Sequence, residues 1–167
     1  MSRKRKPNAI QGQFIARPVE MLRSIAWKHL PDHGRRILEV LELEHAAQGA
    51  AENGKLEATY DNFEDNRIRR GSIALAIRQC CELGFAVVVR QGRIARGEHK
   101  VPSMYRLTYI NGRSSSAQPT HDWKAIANEG MALAALARAA QNKSPDHVRR
   151  ARRARLRQVP VVQAVLQ

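Results

Sequence analysis

Residues 53–110 read NGKLEATYDNFEDNRIRRGSIALAIRQCCELGFAVVVRQGRIARGEHKVPSMYRLTYI, and this stretch decides the fold. Its pattern predicts a short strand, two helices joined by a tight turn, and two further strands that flank a basic loop. That order is the order of a winged helix-turn-helix, whose second helix enters the major groove of DNA. We therefore predict an α+β, mainly helical fold with a small antiparallel β wing and an additional C-terminal helix.

The two central helices have clear start and stop signals. Thr59 is the predicted N-cap of the first helix, over residues 60–65, and acidic residues near its start suit the helix macrodipole. Those acids also argue against contact of this helix with phosphate. Residues 66–67 form the predicted turn. The second helix is predicted over about residues 70–83, with Gly84 as a left-handed cap.

The second helix has two faces of different chemistry. Apolar side chains recur at helical spacing between Ile73 and Leu83 and form the predicted core face. The opposite face combines arginines with small residues, which suits a DNA groove, because guanidinium groups bind guanine edges and phosphates while small residues permit close approach. The alternative is a solvated basic helix. The predicted recognition residues are Arg67, Arg69, Arg70, Ser72, Ala74, Leu75 and Arg78.

A basic hairpin follows. Residues 85–89 and 104–110 are predicted to pair as antiparallel strands, and the loop between them holds two glycines and several cations. Such a loop is typical of a wing over the DNA backbone or minor groove. A nucleotide-binding phosphate loop is set aside, since no GxxxxGKS/T sequence occurs. The predicted wing contacts are Arg90, Arg93, Arg96, His99 and Lys100.

An earlier helix is predicted to begin the core. It runs from Asp32, the predicted N-cap, to about Gln48, with apolar residues at helical spacing. This stripe places Glu44 near its centre, where a carboxylate needs an arginine or backbone donor as its partner. Before this helix, Pro18 as a first helical residue and Ser24 as a cap predict two short helical turns that form a collar.

Composition assigns the remaining segments. We predict a disordered basic arm over residues 1–12, the winged helix-turn-helix domain over 13–110, a linker over 111–120, a C-terminal helix over 121–142 and a basic tail over 143–167. The C-terminal helix either packs back on the domain or forms a homodimer with its copy. The predicted phosphate contacts of the arm and the tail are Arg3, Lys4, Arg5, Lys6, Arg149, Arg150, Arg152 and Arg153.

The net charge of +14 favours a polyanionic partner, while an aromatic content of 5% argues against a protein that stacks single-stranded bases. No apolar run approaches the ~20 residues that span a bilayer, so we predict no membrane partner and a cytoplasmic, nucleoid-associated protein. Cys80 and Cys81 are predicted to be two buried, small apolar side chains of a protein in a reducing cytosol, and the alternative is a vicinal thiol pair that senses oxidation or binds a soft metal. No spacing typical of a metal site or a catalytic cluster occurs, so we predict no catalytic residue, metal, cofactor or small-molecule ligand.

With these residues placed, the chain resembles a family of small bacterial winged-helix proteins known mostly from alphaproteobacteria and their mobile elements. The resemblance covers about residues 14–123 and is carried by FIARPVEMLRSIAWKHL, RRILEVLELEH, ENGKLEATYDNFEDNRIRR, AIRQCCELGF, RLTYI and PTHDW. It implies a domain similar to the winged-helix domains of plasmid and phage replication initiators. The family wing is less basic, closer to GRAGNAEFRSPN, where this chain has GRIARGEHKVPS.

These features predict a sequence-specific double-stranded DNA-binding protein that regulates transcription or assists the replication or transfer of a chromosome or mobile element. The alternative is an RNA- or ribosome-binding basic protein, which should present exposed aromatic side chains on its binding face. An enzyme such as a nuclease would need a cluster of metal-binding acids and histidines or a positioned nucleophile. A partner-binding adaptor, whose basic charge serves solubility alone, is the remaining alternative.

Overall fold

The computed structural model describes residues 12–94, 100–112 and 118–141; the side chains of Ile94 and Lys100 lie outside this description. These residues form an α+β, mainly helical protein with a small three-stranded antiparallel sheet, which confirms the predicted class at that level. The helices are α1 (Val19–Arg23), α2 (Ile25–His29), α3 (Asp32–Ala47), α4 (Tyr60–Asp65), α5 (Arg70–Glu82) and α6 (Glu129–Gln141). The strands are β1 (Leu56–Ala58), β2 (Ala86–Arg90), β3 (Arg93–Ile94), β4 (Lys100–Val101) and β5 (Ser103–Leu107).

The short helices α1 and α2 form the predicted collar. Pro18 is the N-cap of α1 and not its first helical residue, so its prediction is wrong by one position. Ser24 caps α2 as predicted, because its hydroxyl oxygen accepts a hydrogen bond from Trp27 N at 3.1 Å. Met21 and Ala26 are fully buried, so the collar packs on the core and does not extend into solvent.

Helix α3 forms one wall of the core. Its N-cap is Pro31, so the capping role predicted for Asp32 is wrong; Asp32 instead lies in the first turn, where its charge still suits the macrodipole. Glu44 is half-buried and accepts a hydrogen bond from the Gln48 side chain at 2.7 Å. The central position predicted for Glu44 is also wrong, and the buried carboxylate of α3 is Glu42.

Glu42 has two partners that come from distant parts of the chain. Arg17 donates from Nε to Oε1 at 2.8 Å and from Nη2 to Oε2 at 2.6 Å, and the Tyr109 hydroxyl donates to Oε1 at 2.6 Å. The hydrogen bond to Glu42 raises the pKa of Arg17, and burial raises the pKa of Tyr109. This charge-assisted pairing offsets the cost of burying the carboxylate, and it joins the segment before α1, helix α3 and the segment after β5.

Strand β5 is the centre of the three-stranded sheet. It pairs antiparallel with β1 on one side and β2 on the other, so that Leu56 and Val88 both lie opposite Tyr105. Asn53 links the segment before β1 to the end of β5 through two hydrogen bonds. Its side chain donates one to Leu107 O and accepts one from Leu107 N, both at 2.9 Å. Asn53, in the turn before β1, is therefore a buried polar anchor.

The hairpin that joins β2 to β5 is longer than predicted. Its outer part is a second ladder in which β3 pairs with β4, so the prediction of an open loop over residues 90–103 is wrong at both of its ends. The register of β2 against β5 shifts between Val88 and Arg90, which marks a bulge. Gly92 N donates to Ser103 Oγ at 2.9 Å where the two ladders meet.

After the sheet the chain returns to the core. His121 N donates to Thr108 O at 2.9 Å, and Trp123 is buried. The single helix predicted over residues 121–142 is divided in the structure: a 3-10 helix at Asp122–Ala125 precedes α6. The division occurs because Asn128 starts a new helix, with its side chain accepting a hydrogen bond from Met131 N at 2.9 Å.

Gly84 permits this return. It has φ +80°, which confirms the predicted left-handed cap of α5. A Cβ at this position would lie 2.5 Å from Trp123 N and 2.6 Å from Asp122 C. The chain beyond the sheet therefore crosses Gly84 at a distance that only glycine allows, and the Thr108 hydroxyl secures the crossing by donating to Gly84 O at 2.6 Å.

Helix α6 packs back on α5 and α2 with a face of small residues. Ala132, Ala135 and Ala139 are fully buried there. Of the two arrangements predicted for this helix, the structure has the one in which it docks on its own domain. Met131 and Leu133 remain exposed elsewhere on α6, and a homodimer formed through them stays a prediction.

Replacing Gly84 with alanine should destabilise the fold by at least about 2 kcal/mol, because the left-handed backbone alone costs a side chain about 1–2 kcal/mol and the added Cβ would also strike the backbone of residues 122–123. The matched control is Gly71→Ala in α5, where a Cβ would meet nothing within 4 Å. It should leave stability unchanged or raise it by up to about 1 kcal/mol. Urea denaturation followed by circular dichroism measures both, and equal midpoints would contradict the role of Gly84.

Candidate nucleic-acid interface

The turn between α4 and α5 projects two arginines into solvent. Arg67 has φ +61°, a left-handed conformation, and its amide donates to Glu64 O at 2.8 Å. Ile68, the next residue, is buried and donates its amide to Phe63 O at 3.1 Å. Because this residue anchors the turn from inside, Arg67 and Arg69 on either side of it are held with their side chains exposed.

A third arginine reaches the same turn from α3. Arg36 Nη1 donates to Arg67 O at 3.2 Å, and its side chain is exposed. Within the described part of the chain, Arg36, Arg67 and Arg69 form no ion pair with a carboxylate; we call these three residues the turn arginines. The sequence did not predict Arg36 as part of this group. Arg36 lies 31 residues before Arg67, and its only signal in the sequence was its outward position on α3.

Arg70, predicted to contact bases, is held within the protein. Its Nη1 lies 2.8 Å from Asp61 Oδ1 and also contacts Glu64, and its guanidinium lies 5.6 Å from the centre of the Tyr60 ring. The hydrogen bonds to Asp61 and Glu64 raise the pKa of Arg70, and the bond to Asp61 has the larger effect. Asp61 and Glu64 of α4 therefore compete with any nucleic acid for this side chain.

The rest of the predicted recognition face is partly covered. Ser72, Ala74 and Leu75 are half-buried, and Ser72 N donates to Arg69 O at 2.8 Å. Arg78 is also half-buried, and its Nε donates to Ala139 O at the end of α6 at 2.7 Å. The structure thus brings Arg67, Arg69 and Arg70 together at the start of α5 and places Arg78 against α6.

The predicted wing contacts fall partly within the described residues. Arg93 in β3 is exposed, while Arg90 lies 3.7 Å from Glu57 in a solvent-facing ion pair. Lys100 is placed in β4 by its backbone. Arg96 and His99 lie outside the described residues. The predicted arm and tail contacts do as well: Arg3, Lys4, Arg5, Lys6, Arg149, Arg150, Arg152 and Arg153.

Cys80 is buried as predicted, whereas Cys81 is half-buried, so the prediction of burial is confirmed for the first cysteine only. Cys80 is fully buried and its thiol donates to Gly34 O at 3.2 Å. Desolvation raises the pKa of Cys80 and raises that of Cys81 to about 11. Both thiols therefore stay protonated near neutral pH, where a thiol is a poor nucleophile.

The described residues contain no group of three or more histidine, cysteine, aspartate or glutamate side chains placed to hold a metal ion. Among the same residues, no helix has the length and apolar character needed to cross a membrane.

No protein-family model, curated protein or solved structure matches this chain.

If nucleic acid lies against the start of α5, the double substitution Asp61→Asn with Glu64→Gln should strengthen its binding. The change removes two negative charges beside the interface and frees Arg70, for which we expect about a fivefold gain in affinity at low salt, equivalent to about 1 kcal/mol. Fluorescence anisotropy with a labelled duplex measures this gain.

The matched control is Asp32→Asn with Glu52→Gln, which removes two exposed carboxylates that pair with Arg35 and Lys55. We expect this control to change affinity less than about twofold. Equal gains from the two double variants would mean that only net charge matters and that the start of α5 is not the interface.

Proposed function

We propose that the chain is a double-stranded DNA-binding protein built on a winged helix-turn-helix domain. The order α3, β1, α4, α5, β2, hairpin and β5 supports this assignment, as does a sheet in which β5 lies between β1 and β2. In this arrangement α4 and α5 are the helix-turn-helix, and the ladder of β3 and β4 extends the wing.

The observation that carries the proposal is the group of turn arginines. A net charge of +14 says only that cations are in excess, and many of the described cations are paired with carboxylates. The turn arginines instead lie exposed at the N-terminal end of α5, the end at which a recognition helix contacts base edges in helix-turn-helix complexes. Guanidinium groups there bind phosphates and guanine edges.

Burial of most aromatic side chains favours duplex DNA over RNA. Phe63, Phe85, Tyr105 and Trp123 are all 3% exposed or less, so these rings are not available for base stacking, and Phe14 alone among the aromatic side chains of the described residues is exposed. Double-stranded RNA has a major groove too deep and narrow for side chains to read, whereas that of B-form DNA admits a helix. RNA or ribosome binding is therefore the less favoured alternative.

The side chains have different roles in this proposal. Arg67 and Arg69 contact phosphates at the edge of the groove, with Ser72, Ala74 and Leu75 permitting the approach of α5 to the bases. Arg93 and the other predicted wing cations contact the phosphate backbone, and the cations of residues 1–12 and 143–167 add binding that does not depend on sequence. Such a protein acts in the cytoplasm at the nucleoid, in transcription or in the replication or transfer of a mobile element.

The proposal is tested by anisotropy titrations of the full chain with a random-sequence duplex, single-stranded DNA and a structured RNA over a series of salt concentrations. We expect the duplex to bind most tightly, with an affinity that falls steeply as salt rises, because binding releases counterions from the phosphates. Equal or tighter binding to RNA across the series would overturn the proposal.

The turn arginines give a sharper form of this test. The double substitution Arg67→Asn with Arg69→Gln should reduce the magnitude of the salt slope by about 2, since each lost phosphate contact removes about 1. Asparagine is chosen at position 67 because it tolerates the left-handed backbone there.

The control is Arg23→Gln with Lys28→Gln, which removes two exposed cations of the collar and should leave the slope unchanged. A slope that changed only in this collar variant would place the interface at the collar and contradict the role of the turn arginines.

A further inference from the structure

Helix α6 lies against the outward face of α5. Arg78 Nε donates to Ala139 O at 2.7 Å, and Arg138 Nε lies 2.8 Å from Glu82 Oε2. On a helix of 3.6 residues per turn, positions 78 and 82 point away from the core face that carries Ile73 and its neighbours. The C-terminal half of α5 is therefore covered on the side that a major groove would have to accept.

Helix α5 together with α6 is too wide for the major groove of B-form DNA. A single α-helix with its side chains measures about 10–12 Å across, close to the width of about 12 Å of the major groove of B-form DNA. Packed helices have axes about 8–10 Å apart, so α5 with α6 on its outer side spans about 18–22 Å. With α6 in place, only the first turns of α5, beyond its contact with α6, can enter.

The contacts that hold α6 on α5 are ones that a competing ligand can break. The side chains that it buries fully are the methyl groups of Ala132, Ala135 and Ala139, whereas α3 buries several large aliphatic side chains. Leu136 of α6 is half-buried against the same core, but detaching α6 exposes less apolar surface than detaching α3 would. Both polar contacts with α5 also use an arginine, Arg78 or Arg138, and phosphate groups compete for arginine.

Resting on the proposed DNA-binding function, we propose that α6 is an autoinhibitory cover of α5. In the covered state the protein engages duplex DNA through the turn arginines and the wing alone. Full insertion of α5 requires α6 to leave, which frees Arg78 for the groove and gives the predicted recognition residues their complete contact. The covered and uncovered states differ in duplex affinity, and the DNA itself favours the uncovered one.

The test compares two substitutions that add the same charge at adjacent positions of α6 in the full chain. Ala135→Asp places a carboxylate on the buried face and detaches the helix, while Ala134→Asp places it at an exposed position and leaves the helix docked. Both additions should weaken DNA binding by charge alone. The autoinhibitory cover predicts that the Ala135→Asp protein nonetheless binds a random-sequence duplex about fivefold or more tightly than the Ala134→Asp protein.

Equal affinities in these two proteins, together with duplex binding by the unmodified chain, would overturn the cover and leave the proposed function standing. Absence of duplex binding by all three proteins at low salt would overturn both. Should Ala135→Asp prevent folding, hydrogen exchange of the unmodified chain decides: amides of residues 129–141 should exchange faster when duplex is bound. Unchanged or slower exchange there would overturn the cover.

Discussion

The arrangement depends on the close crossing at Gly84. A glycine with a left-handed backbone ends α5 and lets the backbone at Trp123 pass 2.5 Å from where a Cβ would stand. The crossing, together with the hydrogen bond from His121 N to Thr108 O, directs the chain beyond the sheet back across the core. As a result α6 lies on α5, and one residue without a side chain determines how much of that helix faces outward.

The charges of the protein divide into two groups with different roles. Arg17 forms an ion pair with the buried Glu42 and so has a structural role. Arg70 is paired on the surface with Asp61 and Glu64 of α4. Arg67 and Arg69 have no such competitor among the described residues and are held outward by the buried Ile68 between them. Exposed guanidinium groups without a carboxylate partner therefore lie together at one end of α5, and the excess of charge alone would not have located them.

Sequence was a good guide to most local features, although the positions predicted for Pro18 and Asp32 at the starts of α1 and α3 were each wrong by one residue. The Thr59 cap, the left-handed Gly84 and the core face that begins at Ile73 were all predicted correctly, because each follows from a preference of one residue or from helical periodicity. Prediction from the sequence failed where packing between distant segments determines whether a side chain is buried. Glu42 is buried beside Arg17 and Tyr109, which lie 25 and 67 residues away in sequence, and Arg78 is covered by a helix 61 residues away. The element order was predictable, whereas the exposure of the candidate interface was not.

The most direct test of this account is a map of amide chemical shifts, from ¹H–¹⁵N spectra of the full chain titrated with a short DNA duplex. If α5 begins at the interface, the largest changes should fall on residues 67–75 and on the hairpin near Arg93, with small changes in the collar at residues 19–29. Changes concentrated in the collar or at the C-terminal end of α3, with the amides of residues 67–75 unmoved, would contradict the account.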